Sequence, residues 1–210
     1  MERINFSTCT LAYLEETFGL ERQIKLEQLD NWLDTKLDLS KREKEQLLDF
    51  QEALQINILH WNEQELSLNF IGPIFAMVRF SHQKFNFFAQ RNLSGIIQDL
   101  ELYGKVDGMV ASGFSYPKAP FFSFHEFKKE IDPTGDPIAQ NLASMLVGQS
   151  LNHNRTPIYG CLVNGQNWYF MMLEGKKYVI SRGYSSTSTE LFDIFRILKS
   201  LKEIVLRLVE

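Results

Sequence analysis

The apolar pattern of this chain changes period near residue 80, and that single change limits the folds open to it. Before it, apolar residues recur at helical spacing. LAYLEETF (11–18) is a short amphipathic stretch closed by Gly19, and Leu26, Leu29 and Leu33 share one face of the next. Ser40, with Glu43 three residues on, predicts a capped helix from Lys41 to His60. Its stripe is Leu47, Leu48, Phe50, Leu54, Ile56 and Leu59. A further helix is expected from Trp61-Asn62 to about Val78. Glu63 and Glu65 fall in its first turn, where negative charge suits the helix dipole, and Gly72-Pro73 is a kink point.

Beyond residue 80 the texture becomes strand-like. Phe85–Ala89, Ile96–Tyr103, Lys105–Ala111 and Phe121–Lys129 are separated by Gly, Ser, Asn and Pro, with Tyr103-Gly104 read as a turn. Asp136-Pro137 then predicts a helix start, an N-cap aspartate with proline at the first helical position. IYGCLV and QNWYFMML form a hairpin through Asn164-Gly165, and Glu174-Gly175 turns into a strand near Tyr178 to Arg182. A capping box from Thr187 to Glu190 is expected to open the last helix, whose stripe runs from Leu191 to Val205.

This order predicts an α/β (α+β) protein with one central mixed sheet flanked by helices. Residues 1–60 are expected to form a helical extension packed through Leu47, Leu54 and Leu59, and residues 61–210 the core. The order is not that of a doubly wound dinucleotide fold, and no Gly-x-Gly-x-x-Gly or Walker-type loop occurs.

Composition removes several functional classes. A chain of 210 residues, 44% hydrophobic and 23% charged, is neither disordered nor low in complexity, and its 17 phenylalanines supply an aromatic core. Cys9 and Cys161 have no metal-ligand spacing and give no disulfide framework. No apolar run reaches the roughly 18 residues of a membrane span, and no signal segment is evident, so a cytoplasmic protein without membrane contact is expected. Residues 1–60 carry 12 acids and seven bases, the remainder 14 acids and 15 bases. That balance argues against tight non-specific DNA binding, which needs clustered Lys and Arg. It leaves room for an enzyme that touches nucleic acid locally.

Strand alternation places Phe122, Phe124, Glu126 and Lys128 on one face of Phe121–Lys129. The plain alternative is an ion pair at a fraying strand end. Asp107 is disfavoured inside a strand and costly to bury unpaired. It is either a hairpin residue with Gly108 or a strand-end carboxylate aimed at a site, and the nearby Tyr103-Gly104 turn favours the second. If the strands are neighbours, Asp107, Glu126 and Lys128 converge, and a hard divalent cation would relieve the repulsion between the acids.

Asp107, followed after 18 residues by Glu126-Phe127-Lys128, resembles the Asp…Glu-x-Lys signature of the PD-(D/E)XK nuclease superfamily. WNEQELSLNFIGPIF (61–75) is similar to the opening helix of nuclease domains from the N-terminal part of type I restriction motor subunits. DGMVASG, HEFKKE, GDPIAQ and PIYGCLVNGQNWYF together look like a bacterial group within that superfamily. The resemblance covers roughly residues 61–205. It implies a restriction-endonuclease-like core and a Mg²⁺- or Mn²⁺-dependent phosphodiesterase acting on nucleic acid, DNA ahead of RNA. It also implies site roles: Asp107 and Glu126 hold the metal with the Phe127 carbonyl, and Lys128 positions the attacking water. Glu63 matches the helix glutamate, with Glu65 as rival, and Gln140 matches the glutamine of the helix after the Glu-x-Lys strand. The superfamily's proline before the aspartate is Val106 here, and Ser67 stands nearest the place of its helix arginine.

His125 points away from Glu126 on a regular strand and is read as structural or as a support to the site residues, not as catalytic, Cys161 as a core thiol, and Trp168-Tyr169-Phe170 as core. The competing functional reading is a non-catalytic nucleic-acid- or protein-binding module that keeps the fold. The acidic N-terminal helices offer a surface for a protein partner or a homodimer.

Overall fold

The computed structural model describes residues 2–129 and 135–209. The protein is mixed α/β, with one large mixed sheet covered by helices on both faces. Its chain order begins β1 (Glu2–Asn5), α1 (Leu11–Phe18), β2 (Glu21–Gln23), α2 (Glu27–Leu33) and α3 (Lys41–Asn57). Then come α4 (Glu63–Leu66), a π-turn (Ser67–Ile71) and α5 (Gly72–Val78). The long strands β3 (Asn86–Ile97), β4 (Leu100–Ser112) and β5 (Lys118–Lys128) form an antiparallel meander. α6 (Pro137–Leu151) carries the chain back to β6 (Ile158–Asn164), parallel to β5. β7 (Asn167–Glu174), β8 (Lys177–Ile180), β9 (Tyr184–Ser185) and α7 (Leu191–Val209) complete the chain. No described helix is long and apolar enough to cross a membrane.

Because both faces of the sheet are covered, its central strands read as continuous apolar runs. On β7, Trp168, Phe170 and Met172 enter the layer beneath α2, α3, α5 and α7, while Met171 and Leu173 enter the layer beneath α1 and α6. The helix starts follow local chemistry. Ser40 and Glu43 form a reciprocal capping box, and Asp136 accepts the Ala139 N–H at 3.0 Å. The kink expected at Gly72-Pro73 takes the form of the π-turn. Proline supplies no N–H to the carbonyl one turn back, and the Gly72 N–H reaches Ser67 instead.

Several expectations are corrected. The N-terminal region is not wholly helical: β1 pairs in parallel with Leu100–Tyr103 of β4, and β2 pairs in parallel with β8. Both strands are too short to carry a periodic signal. Leu47 and Leu54 are buried, but Leu59 is 83% exposed, because α3 ends at Asn57 and the chain turns away before it. Tyr103-Gly104 is not a turn. β4 runs unbroken through it, and the reversal falls at Gln98-Asp99, with Gln98 at φ 52°. Gly104 is required for packing, since a Cβ there would lie 2.4 Å from the Phe6 ring. Phe122 does not share the face of Phe124. A bulge, in which Val110 and Ala111 face Ser123 and Phe121, turns Phe122 toward Phe85 on the other side. Glu190 does not close a box with Thr187; it accepts the Ser185 N–H at 2.8 Å and pairs with Arg182.

β1 therefore belongs to the sheet. Phe6, just after it, is 1% exposed and fills the hollow over Gly104. Phe6→Ala is expected to cost about 3 kcal/mol or more in urea unfolding. A 61–210 fragment, deprived of both edge pairings, is expected to aggregate; a soluble fragment with a cooperative melt would show that residues 1–60 form a separate module.

Candidate functional site

The site forms where β4 and β5 part. Their ladder ends at Gly108 opposite His125, while β5 stays paired with β6 as far as Lys128 opposite Asn164. Asp107 is the next residue of β4 and lies inside that strand, not at its end. Its Oδ2 accepts the Phe127 N–H at 2.8 Å, where the ladder would have continued, and its Oδ1 accepts from Gln90 Nε2 at 2.7 Å. The carboxylate thus satisfies the first N–H freed by the splay.

On β5, Phe124, Glu126 and Lys128 alternate as expected. Glu126 is 2% exposed, and the Lys128 ammonium lies 2.8 Å from its Oε1. That approach lies outside hydrogen-bond alignment, so Oε1 has an ionic partner but no directed donor. Lys128 Nζ is also 3.8 Å from Glu63 Oε2. Glu63 stands at the first position of α4. The rival, Glu65, is committed elsewhere: Asn62 caps α4 and Glu65 closes the reciprocal box, accepting the Asn62 N–H at 2.7 Å.

Glu63, Asp107, Glu126 and Lys128 therefore meet. Gln140 does not join them by any hydrogen bond; it is half-buried in the first turn of α6, and its side chain bonds to none of the described residues. Phe127 presents its N–H to Asp107, and its ring packs 5.9 Å from Phe75. His125 is buried under that cluster, with its ring 4.8 Å from Phe75. Burial pushes its imidazole down to about 3, so it is neutral, and its Nε2 lies 3.0 Å from Ser123 Oγ. Cys161 is buried, and burial alone pushes its thiol up.

Burial pushes the Glu126 carboxyl up to about 8; the charges of Asp107 and Glu63 add to this, and Lys128 opposes it. For Lys128, burial works against the charge, but Glu126, Glu63 and Asp107 outweigh it and hold the ammonium above its ordinary value. Among the described residues, three acids thus face one lysine. Among the described residues no group of three or more His, Cys, Asp or Glu stands as a ready-made metal cage. The donors are nonetheless hard oxygens, one of them buried without a directed donor, and that chemistry fits a small divalent cation.

Beside Asp107 a cleft of about 1000 Å³ runs between the α4–α5 rod and β3. Phe75, Phe87 and Phe127 line its depth, with Gln90 and Arg79 among its polar lining. Sequence reasoning missed Gln90 and Arg79. Gln90 sits at φ 55° and Arg79 at φ 61°, and neither backbone state is signalled by residue type. No family model matches the chain, and no curated protein matches it.

A carboxyl whose folded value lies near 8 retains its proton where an unfolded glutamate, near 4.3, has lost it. Stability is then full below the unfolded value and falls as pH rises toward 8, by at most about 1.4 kcal/mol per pH unit. Without divalent ions, denaturant melts between pH 5 and 9 are expected to show that decline, and Glu126→Gln to flatten it.

Proposed function

We propose that this protein is a Mg²⁺- or Mn²⁺-dependent nuclease with a restriction-endonuclease-like core, hydrolysing phosphodiester bonds in nucleic acid, DNA ahead of RNA. The observation that carries the reading is the meeting of Asp107, Glu126, Lys128 and Glu63 at the β4–β5 splay, with Glu126 driven up by burial and by the other acids. Three antiparallel strands, a helix and a parallel strand, in that order, support the same reading.

Asp107 and Glu126 would hold the cation, with the Phe127 carbonyl as a further ligand. Once bound, it supplies Lewis acidity that lowers the pKa of water and offsets phosphate charge. Lys128 then donates to the attacking water or to the phosphate oxygen on which charge develops. Glu63, 3.8 Å from that ammonium, keeps Lys128 charged and aimed. The Gln90 amide and the Phe127 N–H fix the Asp107 carboxylate, so it needs little reorganisation. Gln140 is assigned to substrate orientation by the resemblance alone.

A second reading, a non-catalytic nucleic-acid- or protein-binding module, draws on one observation: Lys128 already answers Glu126 directly, so the pair can persist without a cation. Cleavage assays across DNA and RNA, single and double stranded, separate the two. Lys128→Ala is expected to keep divalent-ion binding and lose about 100-fold or more in cleavage. Asp107→Asn is expected to lose both. Because Glu126 must shed its proton, calorimetric Mg²⁺ affinity should rise with pH and level off above about 8. Protein that binds Mg²⁺ or Mn²⁺ yet cuts no substrate would establish the second reading.

A further inference from the structure

We infer that the cleft beside Asp107 receives an unpaired nucleotide, so that the substrate is a single-stranded stretch and not an intact duplex. This rests on the nuclease reading for the nature of the ligand and extends it to the substrate's form.

The cleft abuts the charged cluster, since Glu63 and Asp107 belong to its lining. Its interior is apolar and aromatic. Phe75 and Phe127 are nearly buried, and Phe87 is half-buried beside them, 5.0 Å from Phe75 between ring centres. Its mouth is kept open by small exposed residues, Gly72 and Ala76 on α5 and Ala89 on β3. Hydroxyl and amide groups from Ser67, Ser81 and Gln90 are distributed around it.

A duplex is held by several lysines and arginines that neutralise its phosphates. Here, among the described residues, the lining holds two acids, Glu63 and Asp107, against one cation, Arg79. Such a surface repels a phosphate track. A base, by contrast, is uncharged, offers flat faces to aromatic rings, and carries edge groups that pair with amides and hydroxyls. A volume of about 1000 Å³ accommodates a nucleotide-sized ligand, whereas a double helix cannot enter. With the base inside, a single flanking phosphate lies outside the apolar cleft toward Lys128, where the cation that Asp107 and Glu126 would hold offsets the acids. Arg79 is left for a neighbouring phosphate. The chain thereby binds a nucleic acid despite its acidic balance, using unpaired bases in place of a basic surface.

The test is fluorescence anisotropy on the full chain in Ca²⁺ or EDTA, with a labelled single-stranded oligonucleotide and a blunt duplex of the same sequence. The single strand is expected to bind at least about tenfold more tightly, the effect of roughly one stacked base. Ala76→Trp, at an exposed site, fills the cleft and is expected to weaken single-strand binding about tenfold while leaving the melting temperature unchanged. Arg79→Glu is expected to weaken it too, which keeps the test decisive if the first variant misfolds. Equal affinity for both forms, no single-strand binding, or unchanged single-strand affinity in a folded variant would overturn the inference. Cleavage of duplex unaffected by Ala76→Trp would also overturn it while leaving the nuclease reading intact. Single-strand preference that Ala76→Trp abolishes, in a protein that cuts nothing, would keep the cleft's ligand and remove the nuclease.

Discussion

The Asp107 carboxylate accepts the Phe127 N–H at 2.8 Å at the one place where β5 leaves β4, and the architecture around the site depends on that separation. β4 is 13 residues long, and β3 pairs along nearly all of one edge. Its other edge is divided. β5 takes the part from Gly108 onward, β1 takes Leu100–Tyr103, and the interval between them is where Asp107 reaches across. A strand that separates from its neighbour inside a covered sheet exposes N–H groups that cost free energy unless they are satisfied. A short acceptor at position 107 answers that cost, and β1 closes the edge beyond it. The N-terminal residues are thus part of what makes the splay tolerable.

The same separation brings charges together. Lys128 lies near the end of β5, two residues from Glu126 on the same face, and α4 begins close enough to set Glu63 3.8 Å from its ammonium. With three carboxyl groups and one ammonium among the described residues of a partly buried space, the cluster is favoured by gaining a positive charge. A proton on Glu126 and a divalent cation are two ways to supply it. These two are exclusive at Glu126, so the proposed cation would have to displace the proton, and the two would be coupled at this position.

Much of this was legible where local chemistry decides structure. Ser40 with Glu43 and Asp136 before Pro137 mark helix starts through side-chain bonds to backbone N–H groups, and Gly19 closes α1 by its left-handed φ of 66°, all local effects. Glu126 and Lys128 fell on one strand face because the register from Ser123 to Lys128 is regular. What escaped the sequence was set at a distance. Gly104 is glycine because Phe6, nearly a hundred residues away, lies on it. Phe122 changed sides through a bulge whose cause is the pairing with β4. β1 and β2 are strands only because β4 and β8 offer free edges, and the Asn62 cap engages Glu65 while Glu63, already preferred on sequence grounds, lies beside Lys128. Asp107 was expected at a strand end, and its place inside β4 follows from the reversal lying at Gln98-Asp99.

The cleft shows how a helix irregularity becomes a recognition surface. Pro73 removes one donor, the Ser67–Ile71 segment widens to a π-turn, and the rod from Glu63 to Val78 survives as a continuous wall. Small residues at Gly72 and Ala76 leave room between that wall and β3. Large side chains there would have closed the space over Phe75 and Phe127, which belong to the core, and over the half-buried Phe87. Instead, an aromatic interior opens directly beside Asp107. A phosphate gains little from that apolar interior, whereas a base loses water there at small cost and finds amides at the margin. The charge distribution and the shape of the cleft therefore make the same selection. Under the proposed reading, the sugar-phosphate linkage would belong at the charged end and the base at the apolar one, and the β4–β5 splay fixes how those two ends lie against each other.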